Sequence, residues 1–232
     1  MSAGLARRET RSLLHAPALA WPAIAACLGL AAIGLVGRPL LGLHGPVGTA
    51  WRIFALGAGV LWLGATRGWR WGELGLVWRV EPNARFWVRA AAWMGGVVAA
   101  AFAVALLLSR RGIDPLGLCS ESHPWSASRA WIGLVYAPIV EETAFRLLLC
   151  GALAGKLGAP ANIAVSGAAF AGAHIAFGGI GPDSLVGGFL LAWAFLRSGT
   201  IAVPIALHSL GNAALLLMLA SPAFHALACG PP

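Results

Sequence analysis

The stretch YAPIVEETAFRLLLC, residues 136–150, sets two adjacent glutamates and an arginine inside a run otherwise fit for lipid. The apolar run around it extends over 129–153. Comparable runs fall at 17–37, 46–66, 86–108, 160–180, 183–197 and 200–220. A membrane-spanning helix needs about 20 mainly apolar residues. All of these runs reach that length except 183–197, which reads as a tilted, partly buried helix. Glycine and proline mark the joins, as in GRPLLGLHGP (37–46), RRGIDPLG (110–117), LGAP (157–160) and GGIGPD (178–183). The runs are too long, and alternate too little, for the strands of a barrel wall. The expected fold is an all-α, polytopic transmembrane bundle of about seven helices, within a range of roughly six to eight.

Composition agrees. The 232 residues are 59% hydrophobic and only 10% charged, with a mean hydropathy of +0.80. A soluble domain carries about a quarter charged residues, so lipid must cover much of this surface. The net charge of +8 does not point to nucleic acid, because the basic residues are scattered between apolar runs and form no patch. Arginine at the ends of membrane helices accounts for them. Cys27 and Cys150 fall inside apolar runs as small buried thiols. Cys119 and Cys229 fall outside them, where pairing would need an oxidising compartment.

Four segments follow: a cytoplasmic tail at 1–16, variable membrane helices at 17–128, a core at 129–220 and a C-terminal tail at 221–232. The first run reads as a retained signal anchor rather than a cleaved peptide. With the N-terminus in the cytoplasm, Arg7, Arg8, Arg11, Arg67, Arg70, Arg79, Arg85, Arg89, Lys156 and Arg197 lie inside. Arg38, Arg52, Arg110, Arg111 and Arg129 lie outside. The inside excess favours that orientation, and an integral membrane location is expected. Trp51, Trp69, Trp71, Trp87, Trp125 and Trp131 stand near run ends, where interfacial tryptophans belong.

Glu141, Glu142 and Arg146 therefore sit near the middle of a span. Each costs about 2.5–3.5 kcal/mol at a helix centre and must face partners in the bundle interior. Glu142 and Arg146, four apart, share a face and can pair. Glu141 points about 100° away and is left to face something else. The candidates are His174, four residues after Phe170 in FAGAH, and His208 with Asn212 in HSLGN. Pro138 and Pro204 precede two of these groups, and a proline frees a backbone carbonyl.

Hydrolysis is the chemistry this set offers. Glu141 and His174 converging on a water make a general base. His208 and Asn212, on one helical face, can donate to an oxyanion. A metal version is also open, in which Glu141, His174 and His208 ligate zinc, although the chain has no H-E-x-x-H. The remaining histidines, His15, His44, His123 and His225, fall at run ends or loops and read as solvated.

The three motifs, E-E-x-x-x-R in EETAFR, F-x-x-x-H in FAGAH and H-x-x-x-N in HSLGN, stand in this order, each in an apolar run. Together with GGFLLAWAFLRSGTIAVPIALHSLGN (187–212) they resemble the CPBP intramembrane protease family, which includes CAAX prenyl endopeptidases and bacteriocin-processing or Abi-type proteins. The resemblance covers about 129–220. It implies an intramembrane endopeptidase in which Glu141 and His174 activate water, while His208 and Asn212 stabilise the oxyanion. It leaves Glu142, Arg146 and Phe170 as supports. It favours a mechanism without a metal cofactor, zinc being the alternative. The implied partners are the bilayer and a membrane-tethered protein or peptide substrate. Two other classes compete. A non-catalytic partner-binding or immunity protein has no need of a costly buried glutamate facing two histidines. A proton-coupled transporter needs a continuous polar path, and the spans hold few polar residues beyond the motifs.

Overall fold

The computed structural model describes residues 45–67, 75–76, 80–111, 126–154, 156–176 and 181–229. The expected tail 1–16, the run 17–37, the N-terminal orientation, Cys27, Cys119, His15, His44, His123, Trp69, Trp71 and Trp125 lie outside the described residues. Among those described the fold is all-α, with seven helices and no strand.

Six helices fall on six of the expected runs. They are α1 (Gly45–Arg67), α2 (Ala84–Ser109), α3 (127–153), α4 (Ala159–Ala176), α5 (Pro182–Ser198) and α6 (Ala202–Leu219). The seventh, α7 (Pro222–Cys229), occupies the stretch read as a C-terminal tail. Proline suits the first position of a helix because its missing N–H has no intrahelical partner to lose, and an alanine- and leucine-bearing segment follows it.

Local chemistry sets the ends. Asn83 caps α2, its side chain accepting from the Phe86 N–H at 3.1 Å. Ser126 does the same for α3, accepting from Arg129 at 3.2 Å. Gly199 ends α5 in the left-handed region at φ 68°, which glycine adopts without a Cβ penalty.

The short helix α5 is the buried axis, with Leu191, Ala192, Ala194 and Phe195 all out of contact with solvent or nearly so. Helix α4 packs closely along it. A Cβ on Gly188 would stand 2.9 Å from the Gly167 carbonyl oxygen and 3.0 Å from the Phe170 ring, so only glycine there allows this approach. Helix α2 meets α5 and α6 through Trp87, Ala90, Ala194 and Val203.

The outward faces are apolar. Phe54, Val88, Trp93, Trp131 and Leu217 are all more than half exposed, a surface that water would not tolerate. By length and composition α2 and α6 can each cross a membrane.

Candidate active site

Helix α3 is not uniform. It widens into π turns at Ile132–Tyr136 and at Thr143–Cys150, on either side of an α-helical segment, Ala137–Glu142, that carries both glutamates. In the first π turn the Ala137 N–H bonds to the Ile132 carbonyl, five residues back. The next donor in that register would be residue 138, a proline without an N–H. The Gly133 carbonyl is thereby orphaned, and Asn212 Nδ2 of α6 donates to it at 2.7 Å. The carbonyl that a proline was expected to free thus ties α6 to α3.

The second π turn follows the glutamates. Glu142 and Arg146 are both fully buried. Arg146 Nε lies 2.9 Å from Glu142 Oε2, and Nη2 reaches Oε1 at 3.4 Å. Arg146 Nη1 donates to Ser166 Oγ of α4 at 3.4 Å, and Ser166 in turn donates to the Phe145 carbonyl at 2.9 Å. The guanidinium lies over the Phe170 ring at 4.8 Å. The sequence pairs Glu142 with Arg146 alone; the structure adds His208, whose Nδ1 stands 2.8 Å from Glu142 Oε1.

The two imidazoles are oriented by acceptors. His174 Nδ1 lies 3.0 Å from the Phe170 carbonyl, which can only accept. His208 Nδ1 lies against the Glu142 carboxylate. Both rings therefore carry a proton on Nδ1 and turn Nε2 to the same place. Glu141 Oε2 lies 3.8 Å from His174 Nε2 and 3.8 Å from His208 Nε2. That gap is too long for a direct hydrogen bond, and Glu141 Oε2 is buried with no hydrogen-bond partner among the described residues. Phe170 is the shared floor, 4.4 Å from the His174 ring and 5.9 Å, edge-on, from His208.

Glu141, His174, His208 and Asn212 open on one cavity of about 580 Å³. Its wall is mainly apolar. Helix α2 contributes a stripe at helical spacing, Ala91, Met94, Val98 and Phe102, and the cavity ends near Met218 and Phe224 of α6 and α7. Glu141 keeps 27% of its side chain exposed, whereas Glu142 keeps none. The neighbouring glutamates thus meet different surroundings, one facing the cavity and one locked behind it.

Zinc needs three or more donors at bonding range. Among the described residues no such group of acidic, histidine or cysteine side chains is arranged to hold a metal ion. Zinc bonds of about 2.0–2.1 Å set ligand atoms roughly 3.4 Å apart in a tetrahedron. Glu141 Oε2 stands 3.8 Å from each imidazole Nε2, wider than that spacing.

The sequence reading missed Ser166, the Gly133 carbonyl and the α2 wall. Ser166 was within reach, since Ser166, Phe170 and His174 repeat every four residues along one face of α4. The Gly133 carbonyl was not, because it depends on the register of a π turn.

The architecture and the site together define a helical, lipid-faced protein with a carboxylate–imidazole centre in an apolar cavity. Residues 123–214 match the family model described as type II CAAX prenyl endopeptidase Rce1-like. The matched segment contains the three motifs and the whole of the polar cluster, so it meets the resemblance drawn from those motifs. The family is one of membrane-embedded proteases, which supports a peptide hydrolase. No curated protein and no solved structure matches the chain.

Proposed function

We propose that this chain is a CPBP-type intramembrane endopeptidase that works without a metal. It would lie in the bacterial inner membrane as a bundle of about seven spans, with its N-terminus in the cytoplasm. Its substrate is a membrane-tethered protein or peptide. The observation that carries the reading is the convergence of Glu141 Oε2 with the Nε2 atoms of His174 and His208, each at 3.8 Å, in a cavity bounded by apolar helices.

In the proposed reaction a water sits over these atoms. It gives one proton to Glu141 as its oxygen attacks the scissile carbonyl carbon. His174 accepts a hydrogen bond from the water's other O–H through Nε2 and so aims its lone pair. The carbonyl π electrons move to oxygen. His208 donates to that oxyanion when its Nε2 also bears a proton, with Glu142 facing Nδ1. Asn212 has a second N–H beyond the one given to Gly133 and can donate to the same oxygen. The tetrahedral centre then collapses, the C–N bond breaks, and Glu141 returns its proton to the leaving amine. The products are a carboxylic acid and an amine, and the acid's proton then passes to the amine to leave a carboxylate and an ammonium.

Arg146 acts through Glu142. A buried cation holds a buried carboxylate still, and that carboxylate holds the His208 ring. The test is cleavage of a membrane-anchored peptide by the purified full-length chain in phosphatidylcholine vesicles. Wild type cuts it and continues to cut after treatment with a zinc chelator, while Glu141→Gln does not. Loss of activity on chelation with recovery on added zinc would overturn the metal-free part. Equal cleavage by Glu141→Gln would overturn the whole.

A further inference from the structure

A second cavity lies away from the polar cluster, on the outer side of the α2–α5 pair. It has a volume of about 510 Å³ and is lined by Phe86, Arg89, Ala90, Trp93, Leu190 and Trp193. The lining residues form two facing helical stripes. Phe86 lies three and four residues before Arg89 and Ala90, which lie four and three residues before Trp93 along α2; Leu190 and Trp193 are three apart along α5. The aromatic wall is continuous, with Phe86 and Trp193 at 6.2 Å and Trp87 and Trp193 at 5.7 Å between ring centroids.

One cation lines the cavity and a second lies against its Phe86 wall. Arg89 stands in its wall. Arg197, four residues after Trp193, lies with its guanidinium 5.3 Å from the Phe86 ring centroid. Arg85, one turn before Arg89, is exposed on the same stretch of α2. Among the described residues, none of these three arginines has a carboxylate partner. The Trp87 indole N–H is buried in the same aromatic cluster, also without an acceptor among those residues. All three arginines belong to the set that the sequence's positive-inside pattern is expected to place in the cytoplasm.

We infer that this cavity binds an anionic phospholipid of the cytoplasmic leaflet. The arginines take the phosphate, and the aromatic stripes take the glycerol and the upper acyl chain. Charge complementarity commits the site to an anionic lipid, since Arg89 in the wall and Arg197 against Phe86 beside an apolar slot meet a headgroup and its chain at once. Arg89 and Arg197 can each offer a fork of donors to phosphate oxygens. Tryptophan at this depth sits with its apolar body in lipid and its polar edge at the headgroups. A basic pocket between membrane helices on the cytoplasmic side is the form that lipid-headgroup recognition takes.

The test is native mass spectrometry of the full-length protein titrated with phosphatidylglycerol or phosphatidylcholine. It compares wild type with Arg89→Gln/Arg197→Gln, two exposed positions outside the catalytic cluster. Each arginine contributes about fivefold to anionic-lipid affinity. Wild type therefore holds phosphatidylglycerol about twenty- to thirtyfold more tightly than the double variant does. The double variant binds both lipids alike, and Arg89→Lys loses less than Arg89→Gln. Equal affinity of wild type and the double variant for phosphatidylglycerol overturns the inference, as does equal affinity of wild type for the two lipids. Displacement of the bound lipid by millimolar inorganic phosphate also overturns it, by making free phosphate the ligand.

Discussion

Glu142→Gln tests the division of labour between the two glutamates through stability. Glu142 and Arg146 are both fully buried, with Nε to Oε2 at 2.9 Å. Glutamine keeps the volume, and an acceptor for His208, but removes the charge. Arg146 is then left buried without a carboxylate to balance its charge. Stranding one member of a buried pair costs about 3–5 kcal/mol. At about 2–4 °C per kcal/mol for a chain of this size, the melting temperature falls by roughly 6–20 °C. Arg146→Met costs less, because Glu142 keeps His208 at 2.8 Å. The double variant Glu142→Gln/Arg146→Met removes both charges, so its loss is smaller than the sum of the two single losses. Glu141→Gln, at a cavity-facing position that strands no cation, shifts the melting temperature by no more than about 2 °C. The assay is thermal unfolding of the four purified variants in one detergent. A Glu142→Gln protein as stable as wild type, or strict additivity in the cycle, would refute the reasoning.

Three further outcomes follow from particular contacts. His208→Gln keeps a polar group against Glu142 but loses the ring nitrogen facing Glu141, so kcat falls by about 10²–10³ while the protein still accumulates in the membrane; a peptide-cleavage assay on the purified variant reads it. Asn212→Ala leaves the Gly133 carbonyl without its 2.7 Å donor. Interhelical hydrogen bonds in membranes contribute about 0.6–1.7 kcal/mol, so a drop of a few degrees in melting temperature is expected together with a loss of rate. Gly188→Ala places a methyl 2.9 Å from the Gly167 carbonyl and 3.0 Å from Phe170. Helix α4 must move away, at about 1–3 kcal/mol, carrying Phe170 and His174 with it; lower thermal stability and lower kcat should appear together.

The helices were legible because their signal is simple. Long apolar runs broken by glycine and proline predicted α1 to α6 closely, and the short run at 183–197 became α5, the most buried of them. Helix α7 was not legible, since eight residues beginning at Pro222 are too few to register as an apolar run. The meeting of Glu141 with His174 and His208 was legible too. Charged and polar groups in apolar helices have few places to go, and motif spacing fixed which of them share a face. What the sequence could not supply was the second partner of Glu142. His208 reaches it by crossing from α6 to α3, a long-range contact that no spacing encodes. The hold of Asn212 on Gly133 was hidden for a related reason. It arises from a one-residue widening of α3 that only the hydrogen-bond register reveals. Pro138 signalled a free carbonyl, but an α-helical count assigns it to Leu134 and a π count to Gly133.

The most direct test of the central claim, that Glu141 is the base of a peptide hydrolase, is terminal peptide mapping of the membrane proteome in the native host. It compares wild type with Glu141→Gln, both confirmed to accumulate in the membrane. The account predicts that a defined set of new protein termini, carried by membrane-tethered proteins, is present with the wild-type chain and missing with the variant. Identical termini in the two strains, under conditions where the protein is expressed, would contradict it.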